Sequence, residues 1–213
     1  MEKKLVIIGA GDFAKELVWI IQEVNKVQCS LEIVGLLDED NTKEGLQVLG
    51  CRVFGELKTA SFWGEGPVYA VCSVAKPASK KMLCEKVRAA GYHFAKIVHP
   101  SAVISEYVTI GEGSVIMPGT IVTVDVEVGK HVTINKLCSI GHDSIIKDFC
   151  TLAPGVKVGG KVVIEEECDI GMNASIIQSV RIGKGTTVGA GAVVTGDLPG
   201  GCTAVGVPAR VMK

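Results

Sequence analysis

An aliphatic residue recurs at every sixth position between residues 98 and 194, and this repeat restricts the fold more than any other feature of the chain. The 17 consecutive positions are Val98, Ile104, Ile110, Ile116, Val122, Val128, Ile134, Ile140, Ile146, Leu152, Val158, Ile164, Ile170, Ile176, Ile182, Val188 and Val194. Neither an α-helix nor a single strand has a period of six residues, whereas a coil with one hexapeptide on each of three sides does. The repeat therefore predicts a rigid, three-sided coil of short strands.

The residues between these aliphatic positions support the same interpretation. The residue four positions later is usually small or β-branched, as at Ser114, Val132, Cys150 and Ala174. One large and one small inward residue on each side would fill a narrow triangular prism. Glycine often follows the aliphatic residue directly, which we interpret as a corner with unusual dihedral angles. The pattern resembles the hexapeptide-repeat left-handed β-helix, and only this resemblance implies the left hand, because crossover rules favour right-handed connections.

Residues 1–97 alternate short apolar runs with helical patterns, which predicts a βαβ domain with a parallel sheet. We predict strands over residues 4–8, 31–37 and 67–72, and helices over residues 14–24 and 76–90, the second ended by Gly91. The sequence thus divides into a βαβ domain, residues 1–97, and a coil with a C-terminal tail, residues 98–213.

The first predicted strand runs into Gly9-Ala10-Gly11-Asp12-Phe13-Ala14, which fits the pattern G-x-G-x-x-A, and Asp38 ends the second strand. Glycines at such a turn let backbone N–H groups at a helix N-terminus approach a phosphate. A dinucleotide fold uses two mononucleotide-binding halves, and this region holds about one, so a nucleotide sugar suits it better than NAD. A tight turn without a ligand is the remaining alternative.

Composition excludes several classes of function. The 213 residues carry a net charge of −1 and 5% aromatic residues, which provides no basic patch or stacking surface for nucleic acid. The apolar run at residues 5–8 is too short for a signal peptide or a membrane span, so we expect a cytoplasmic protein without membrane association. The eight cysteines form no CxxC pair. We interpret them as small buried side chains in a reducing compartment, with no zinc site.

Within the coil, Gly141-His142-Asp143 interrupts the pattern with residues capable of catalysis. A neutral histidine can accept a proton from an attacking amine or hydroxyl, and an adjacent carboxylate can fix its tautomer. His131 lies 11 residues from His142, which is not a multiple of six. The two imidazoles therefore occupy different positions in their repeats, which disfavours a three-histidine zinc centre of the γ-carbonic anhydrase kind. We interpret His99 as a structural residue.

The order of these motifs, together with Asn135, residues 189–195 and residues 206–210, resembles the NeuD/PglD-type nucleotide-sugar N-acetyltransferases over essentially the whole chain. That group is also similar to sialic acid O-acetyltransferases. The resemblance implies acetyl transfer from acetyl-CoA to the amine, on C4, of a nucleotide-linked amino-dideoxy sugar, for bacterial surface glycan synthesis. It also implies a homotrimer with acetyl-CoA bound between neighbouring coils.

The resemblance further implies site residues, with His142 as general base and Asp143 as its acidic neighbour. The nucleotide-sugar pocket would contain Gly9, Gly11, Asp12, Phe13, Asp38 and Glu39, with Asn135 facing the acceptor amine. The acetyl-CoA groove would contain Thr151, Gly160, Met172, Ala190 and Arg210. Two residues depart from the family pattern, since some members have histidine in place of Phe13 and in place of Thr151.

The expected mechanism is direct attack of the neutral amine on the thioester in a ternary complex, with a backbone N–H near Gly160 as oxyanion donor and no cysteine intermediate. Two other functions remain open at this stage. The same base would serve O-acetylation of a sialic-acid-like sugar hydroxyl, and a coil without a site would be a non-catalytic scaffold.

Overall fold

The computed structural model of the protein describes residues 3–28 and 30–212. These residues form two compact units, the first comprising residues 3–75 and 79–100 and the second comprising residues 76–78 and 101–212. No helix in the described part of the chain combines the length and hydropathy that crossing a bilayer requires.

The first unit is a parallel sheet with helices, as the alternation of apolar runs predicted. Its elements are β1 (Lys3–Ile8), α1 (Asp12–Gln28), β2 (Leu31–Leu37), β3 (Gln47–Val48), β4 (Cys51–Arg52), β5 (Val68–Cys72), α2 (Pro77–Ala89), β6 (His93–Phe94) and β7 (Ile97–Val98), with short 3-10 helices at Asn41–Lys43 and Ala60–Trp63. The four-stranded sheet has the order β2-β1-β5-β6. All of its strands are parallel.

The apolar pattern explains where these elements pack. β1 is buried from Leu5 to Ile8, as expected for a central parallel strand covered on both faces. Helix α1 buries one face, made of Ala14, Leu17, Val18, Ile20, Ile21 and Val24. Helix α2 begins at Pro77, where a missing N–H costs nothing, and the chain leaves it through Gly91 at φ +91°. The β3–β4 hairpin and the two 3-10 helices were not predicted, because their polar residues carry no regular period.

The second unit is a three-sided parallel β-helix. Its strands are β8 (Val103–Ile104), β9 (Thr109–Ile110), β10 (Val115–Ile116), β11 (Ile121–Val122), β12 (Glu127–Val128), β13 (Thr133–Ile134), β14 (Ser139–Ile140), β15 (Ile145–Ile146), β16 (Thr151–Leu152), β17 (Lys157–Val158), β18 (Val163–Ile164), β19 (Asp169–Ile170), β20 (Ser175–Ile176), β21 (Arg181–Ile182), β22 (Thr187–Val188), β23 (Val193–Val194), β24 (Thr203–Val205) and β25 (Arg210–Val211). From β8 to β23, strands three apart in this order pair in parallel, for example Val122 with Ile140, so one turn of the coil takes 18 residues.

The inward positions follow the predicted rule. From Ile116 to Val194 the sixth-position aliphatic residues are all buried, and so are the small or β-branched residues from Ser114 to Ala192. The tail reverses direction after β24, and β25 pairs with it antiparallel, with Ala204 opposite Val211. The rigid prism inferred from the six-residue repeat is therefore confirmed.

The role predicted for the glycines after the aliphatic residues is wrong. From residue 113 to residue 191, positive φ angles occur two residues later in each corner, as at Asp125 and Asp143, and none occurs at the seven glycines in question. These glycines instead allow neighbouring turns to approach. A Cβ on Gly141 would lie 2.7 Å from the carbonyl carbon of Gly159 in the next turn, which real side chains do not tolerate.

Candidate active site

The glycine-rich turn of the first unit is closely packed at Gly9 and open at Gly11. Gly9 has φ +97°, and a Cβ there would lie 2.5 Å from Ser73 Oγ. A Cβ on Gly11 would meet nothing within 4 Å, so this side of the turn is open. Helix α1 starts at Asp12, so its first N–H groups point toward the turn, and that of Ala14 donates to the Gly11 carbonyl oxygen at 3.0 Å. Asp12 is exposed and pairs with Lys15 at 3.1 Å, and Phe13 is half-buried.

Asp38 joins the end of β2 to this turn. One carboxylate oxygen, Oδ2, accepts hydrogen bonds from the Ala10 N–H at 2.7 Å and from Lys43 Nζ at 3.0 Å. The other, Oδ1, accepts from the Asp40 N–H at 2.9 Å. Burial raises the pKa of this carboxyl, but the bonds from Ala10, Asp40 and Lys43 outweigh burial and hold the pKa below its usual value. The ionised carboxylate of Asp38 thus holds the Gly-rich turn in place by accepting these hydrogen bonds.

A cavity of about 150 Å³ lies at the carboxyl ends of β1 and β2, the edge of a parallel sheet at which ligands bind in folds of this type. It is lined by Ile8, Gly9, Leu37, Asp38, Glu39, Leu57, Val74 and Leu83. The structure thus brings together the predicted residues Gly9, Asp38 and Glu39. The apolar wall of Leu57, Val74 and Leu83 was not predicted, since isolated leucines and valines carry no distinguishing signal in a sequence.

His142 and Asp143 form a hydrogen-bonded pair in the coil. His142 Nδ1 lies 2.6 Å from Asp143 Oδ2, and the two side chains are 58% and 50% exposed. Asp143 occupies the corner position with φ +57°, one that Asp adopts more readily than most residues. A carboxylate on Nδ1 favours the tautomer with a proton on that atom, which leaves the Nε2 lone pair as the basic site.

Gly160 supports the imidazole from the next turn of the coil. It follows His142 by 18 residues, and a Cβ on Gly160 would lie 2.6 Å from His142 Nε2 and 2.7 Å from Cε1. The His142 carbonyl oxygen accepts the N–H of Lys161 at 2.8 Å, which ties the two turns together. The ring therefore occupies space that is available because residue 160 has no side chain.

The remaining predicted coil residues lie elsewhere on the prism. We call the corner residues 123–126, 141–144, 159–162 and 177–180 the His142 edge, and the corner residues 117–120, 135–138, 153–156, 171–174 and 189–192 the Asn135 edge. Met172 and Ala190 lie on the Asn135 edge, both exposed. The side chain of Asn135 accepts the N–H of Lys136 at 2.8 Å. Thr151 lies on a strand and is only 5% exposed.

Arg210 lies in the C-terminal hairpin, beside a cavity of about 250 Å³. This cavity is lined by Thr195, Gly196, Asp197, Leu198, Ala209, Arg210 and Val211. The guanidinium donates to the carbonyl oxygen of Ala209 at 3.0 Å. The structure thus separates Arg210 from His142 along the coil, since they belong to the last and the middle turns.

The other coil histidine has a packing role. His131 is 3% exposed and stacks on Phe149 one turn further on, with ring centroids 4.9 Å apart and planes at 10°. In the first unit, His99 packs against Trp19 at 5.8 Å, and burial lowers its pKa. Among residues 3–28 and 30–212, no three His, Cys, Asp or Glu side chains are grouped to hold a metal ion.

Comparison with known proteins agrees with this arrangement of two units. Residues 4–87 match the PglD N-terminal domain, and residues 161–196 match the bacterial transferase hexapeptide family of six repeats. No curated protein sequence shows significant similarity to the chain.

Several solved structures are similar over the whole chain. One is a mutant of perosamine N-acetyltransferase from Caulobacter crescentus, in which asparagine replaces a histidine, in complex with CoA and GDP-perosamine. It shares 30% identity and a TM-score of 0.88, covering 99% of this chain and 97% of that chain.

Two further structures come from other bacteria. The acetyltransferase domain of PglB from Neisseria gonorrhoeae, in complex with acetyl coenzyme A, has 28% identity and a TM-score of 0.87 over 100% of both chains. WeeI from Acinetobacter baumannii has 29% identity and a TM-score of 0.87, over 99% of this chain and 100% of that chain. The second unit is thus a left-handed hexapeptide-repeat β-helix, and the chain belongs to the NeuD/PglD-type sugar acetyltransferases.

Proposed function

We propose that this protein transfers the acetyl group of acetyl-CoA to the amine of a nucleotide-linked amino sugar. The observation that carries the proposal is the His142–Asp143 pair, an exposed imidazole with a carboxylate 2.6 Å from Nδ1. Because the chain belongs to an acetyltransferase family, acetyl-CoA and a nucleotide-linked amino sugar are the substrates expected at this pair. The similar structure from C. crescentus holds CoA and GDP-perosamine, and that from N. gonorrhoeae holds acetyl coenzyme A.

In the proposed mechanism the neutral amine attacks the thioester carbonyl carbon directly. As the C–N bond forms, His142 Nε2 accepts the amine proton, and Asp143 stabilises the resulting imidazolium through Nδ1. The C–S bond then breaks, and the imidazolium returns the proton to the CoA thiolate. Cysteine takes no part, since Cys138, Cys150 and Cys168 are buried in the core of the coil.

The negative charge that develops on the carbonyl oxygen needs a hydrogen-bond donor. Gly160 N–H is our candidate, because no acceptor for it is found among the described residues and it lies next to the imidazole. A fixed backbone donor aimed at such an oxygen contributes substantially to acyl transfer. Gly160 would then have two roles, since its missing side chain leaves room for the His142 ring and its N–H stabilises the transition state.

We assign nucleotide-sugar binding to the first unit. The support is the 150 Å³ cavity that brings Gly9, Asp38 and Glu39 together beside the open turn at Gly11. Asp38 uses its carboxylate to hold Ala10 N–H, and Ala14 N–H bonds the Gly11 carbonyl oxygen, which leaves the N–H groups of residues 11–13 for a diphosphate. The family resemblance places the amine on C4, and the panel of acceptor sugars varies the nucleotide.

A homotrimer is part of the proposal. Asn135 and His142 lie on two different edges of one coil, separated by the face that contains β14. A site that uses both side chains therefore combines the Asn135 edge of one copy with the His142 edge of another, and a closed threefold ring supplies such pairs symmetrically. Sedimentation equilibrium should give three times the 22.4 kDa chain mass. A monomer would contradict this arrangement.

Seven thiols in the described chain are free, including three inside the coil. Thiols of this kind persist in a reducing compartment. This observation supports the expected cytoplasmic location, which stays a prediction.

The test is acetyl transfer to a panel of GDP-, UDP- and dTDP-linked 4-amino sugars, with the acetylated product detected by mass spectrometry. We expect at least one to be acetylated. His142→Ala should lower kcat by at least about a hundredfold, because general-base catalysis contributes roughly 10² to 10⁴. The matched control is His93→Ala, another exposed histidine, in the first unit.

Each alternative has its own outcome in this test. With a sialic-acid-like sugar added to the panel, acetylation of its hydroxyl and no reaction of any amine would favour O-acetylation. Absence of any transfer, with no thermal stabilisation by acetyl-CoA, would favour a scaffold, because a ligand that binds only the folded state raises apparent stability. Near-normal activity of His142→Ala would remove His142 from the mechanism.

A further inference from the structure

Ser144 has a polar side chain at an inward position of the coil, next to the His142–Asp143 pair. It is fully buried, whereas the same position holds an apolar or thiol side chain in most turns. Its hydroxyl donates to the Gly159 carbonyl oxygen at 3.0 Å and accepts the Val162 N–H at 3.2 Å. It also lies 3.5 Å from the His142 carbonyl oxygen. One hydroxyl therefore contacts both ends of the corner at residues 159–162.

The imidazole of His142 lies against this corner. It contains Gly160, whose missing side chain leaves room for the ring, and Lys161, whose N–H bonds the His142 carbonyl oxygen at 2.8 Å. The Ser144 hydroxyl thus connects the two turns inside the coil, and the Lys161 N–H connects them at the edge. A shift of the 159–162 corner would move the surface under His142.

We propose that Ser144 is a positioning residue for acetyl transfer, which holds the 159–162 corner where it keeps the His142 imidazole in its working geometry. The inference rests on the proposed function. Ser144 does not reach the substrates, since it is buried in the coil, and it acts only through the corner that lies against His142. Reacting groups lose about a hundredfold in rate when displaced by roughly 1 Å, so a small shift of this corner is enough to be measured.

The chain provides a matched control in Ser114. This residue is also fully buried at the inward position, donates to the Gly129 carbonyl oxygen at 2.7 Å, and accepts the Val132 N–H at 2.9 Å. The corner that Ser114 holds does not contact His142. Removing either hydroxyl should weaken the coil similarly, whereas only the change at Ser144 should affect the chemical step.

The variants should fold, because the coil already contains the replacement residues at this position. Alanine occupies it at Ala174 and Ala192. Cysteine occupies it at Cys138 and Cys168, whose thiols donate to the carbonyl oxygens of residues 153 and 183 at 3.3 and 3.2 Å. Ser144→Cys can therefore keep the bond to the Gly159 carbonyl oxygen, which makes it the conservative variant.

The experiment is a double-mutant cycle on acetyl transfer, measured below the unfolding transition of every variant. Ser144→Ala should lower kcat about tenfold and change the KM of acetyl-CoA by less than about twofold. In the His142→Ala background the same change should lower the residual rate by less than about twofold. Ser144→Cys should recover kcat to within about threefold of the original, and Ser114→Ala should change kcat by less than about twofold.

Several outcomes would overturn the inference. One is an equal loss of acetyl-transfer rate from Ser144→Ala with and without His142. Another is a loss of kcat from Ser114→Ala equal to that from Ser144→Ala. The third is a normal kcat in Ser144→Ala. If Ser144→Ala fails to fold, the same cycle with Ser144→Val decides, because valine occupies this position at Val126 and Val162, and equal losses in both backgrounds overturn the inference. Failure of the proposed function looks different, because the original protein would acetylate no amino sugar or His142→Ala would be fully active.

Discussion

The imidazole of His142 occupies the space that any side chain at Gly160 would need, with Nε2 only 2.6 Å from the position of a Cβ. Gly160 follows His142 by one turn of the coil, so the 18-residue repeat itself brings the two together. Because the blocking group is the end of an exposed side chain and not backbone, an added methyl group would displace the ring and leave the coil intact.

Gly160→Ala should therefore lower activity and leave thermal stability almost unchanged. We expect kcat to fall by roughly ten- to a hundredfold, since the base moves away from its position. Tm should change by less than a few degrees, because Gly160 has no positive φ and its backbone can accept a side chain. Steady-state kinetics and thermal unfolding of the same preparation measure both effects. An unchanged kcat would show that the ring position over Gly160 does not matter for catalysis.

Gly171→Ala should have the opposite effect. Its Cβ would lie 2.5 Å from the backbone nitrogen of Ala190 and 2.7 Å from the carbonyl carbon of Gly189. Backbone in the next turn cannot yield as a side chain does, so we expect a loss of about 1 to 3 kcal/mol in the free energy of unfolding. Gly196→Ala is the control for denaturant unfolding, since a Cβ there meets nothing within 4 Å. Equal stability of the two variants would contradict the close-approach explanation.

Asp143→Asn tests the role of the carboxylate. A carboxamide can donate to His142 Nδ1, which would leave the proton on Nε2 and remove the basic lone pair from the reacting side. Asn accepts the left-handed conformation at φ +57°, so the fold should persist. We expect kcat to fall by at least about tenfold.

The matched control for that variant is Asp125→Asn. Asp125 lies one turn earlier at φ +54°, is exposed, and follows Val124 instead of a histidine. It should retain normal kcat. If both variants lost activity alike, the effect would belong to the charge of the His142 edge and not to the hydrogen bond on Nδ1.

Asp38→Asn should destabilise the first unit in a pH-dependent way. Folding lowers the pKa of Asp38, because hydrogen bonds from Ala10, Asp40 and Lys43 outweigh the effect of burial. A carboxyl with a lowered folded pKa stabilises the fold above its unfolded pKa of about 3.9, and this contribution is lost as pH falls through the folded value. We expect a loss of about 1.5 to 3 kcal/mol at pH 7, the range for hydrogen bonds to charged groups.

Urea unfolding at a series of pH values measures this difference, which should shrink between pH 5 and pH 2. Glu56→Gln serves as the control, since it removes an exposed carboxylate of the same unit. A difference that stays constant with pH would show that the charge of Asp38 is not what holds the turn.

Much of the coil could be predicted because its repeat is local. A residue's place in the six-residue period already decides whether it points inward, and burial of the sixth-position aliphatics from Ile116 onward confirmed this. The same period also implied that residues 18 apart lie on adjacent turns, which would have placed Gly160 against His142. The error about the corner glycines arose because sequence does not reveal whether a glycine supplies unusual dihedral angles or close approach.

Other features depended on contacts between residues far apart in the chain. The cavity of the first unit joins Leu57 and Leu83 to Gly9, and Asp38 reaches back across 28 residues to Ala10. Three donors make Asp38 a support for the turn, which the sequence did not predict, and its contact with the nucleotide sugar stays a prediction.

The sequence by itself determined the architecture, a βαβ unit followed by a three-sided coil, because periodic burial of apolar side chains decides which elements form. It also supplied His142, Asp143 and the glycine-rich turn as chemical candidates. Only the tertiary structure decided their geometry: that Asp143 bonds Nδ1, that Gly160 makes room for the ring, and that Ser144 joins the two turns from within. Distances between side chains depend on how successive turns stack, and no local pattern in the sequence contains that information.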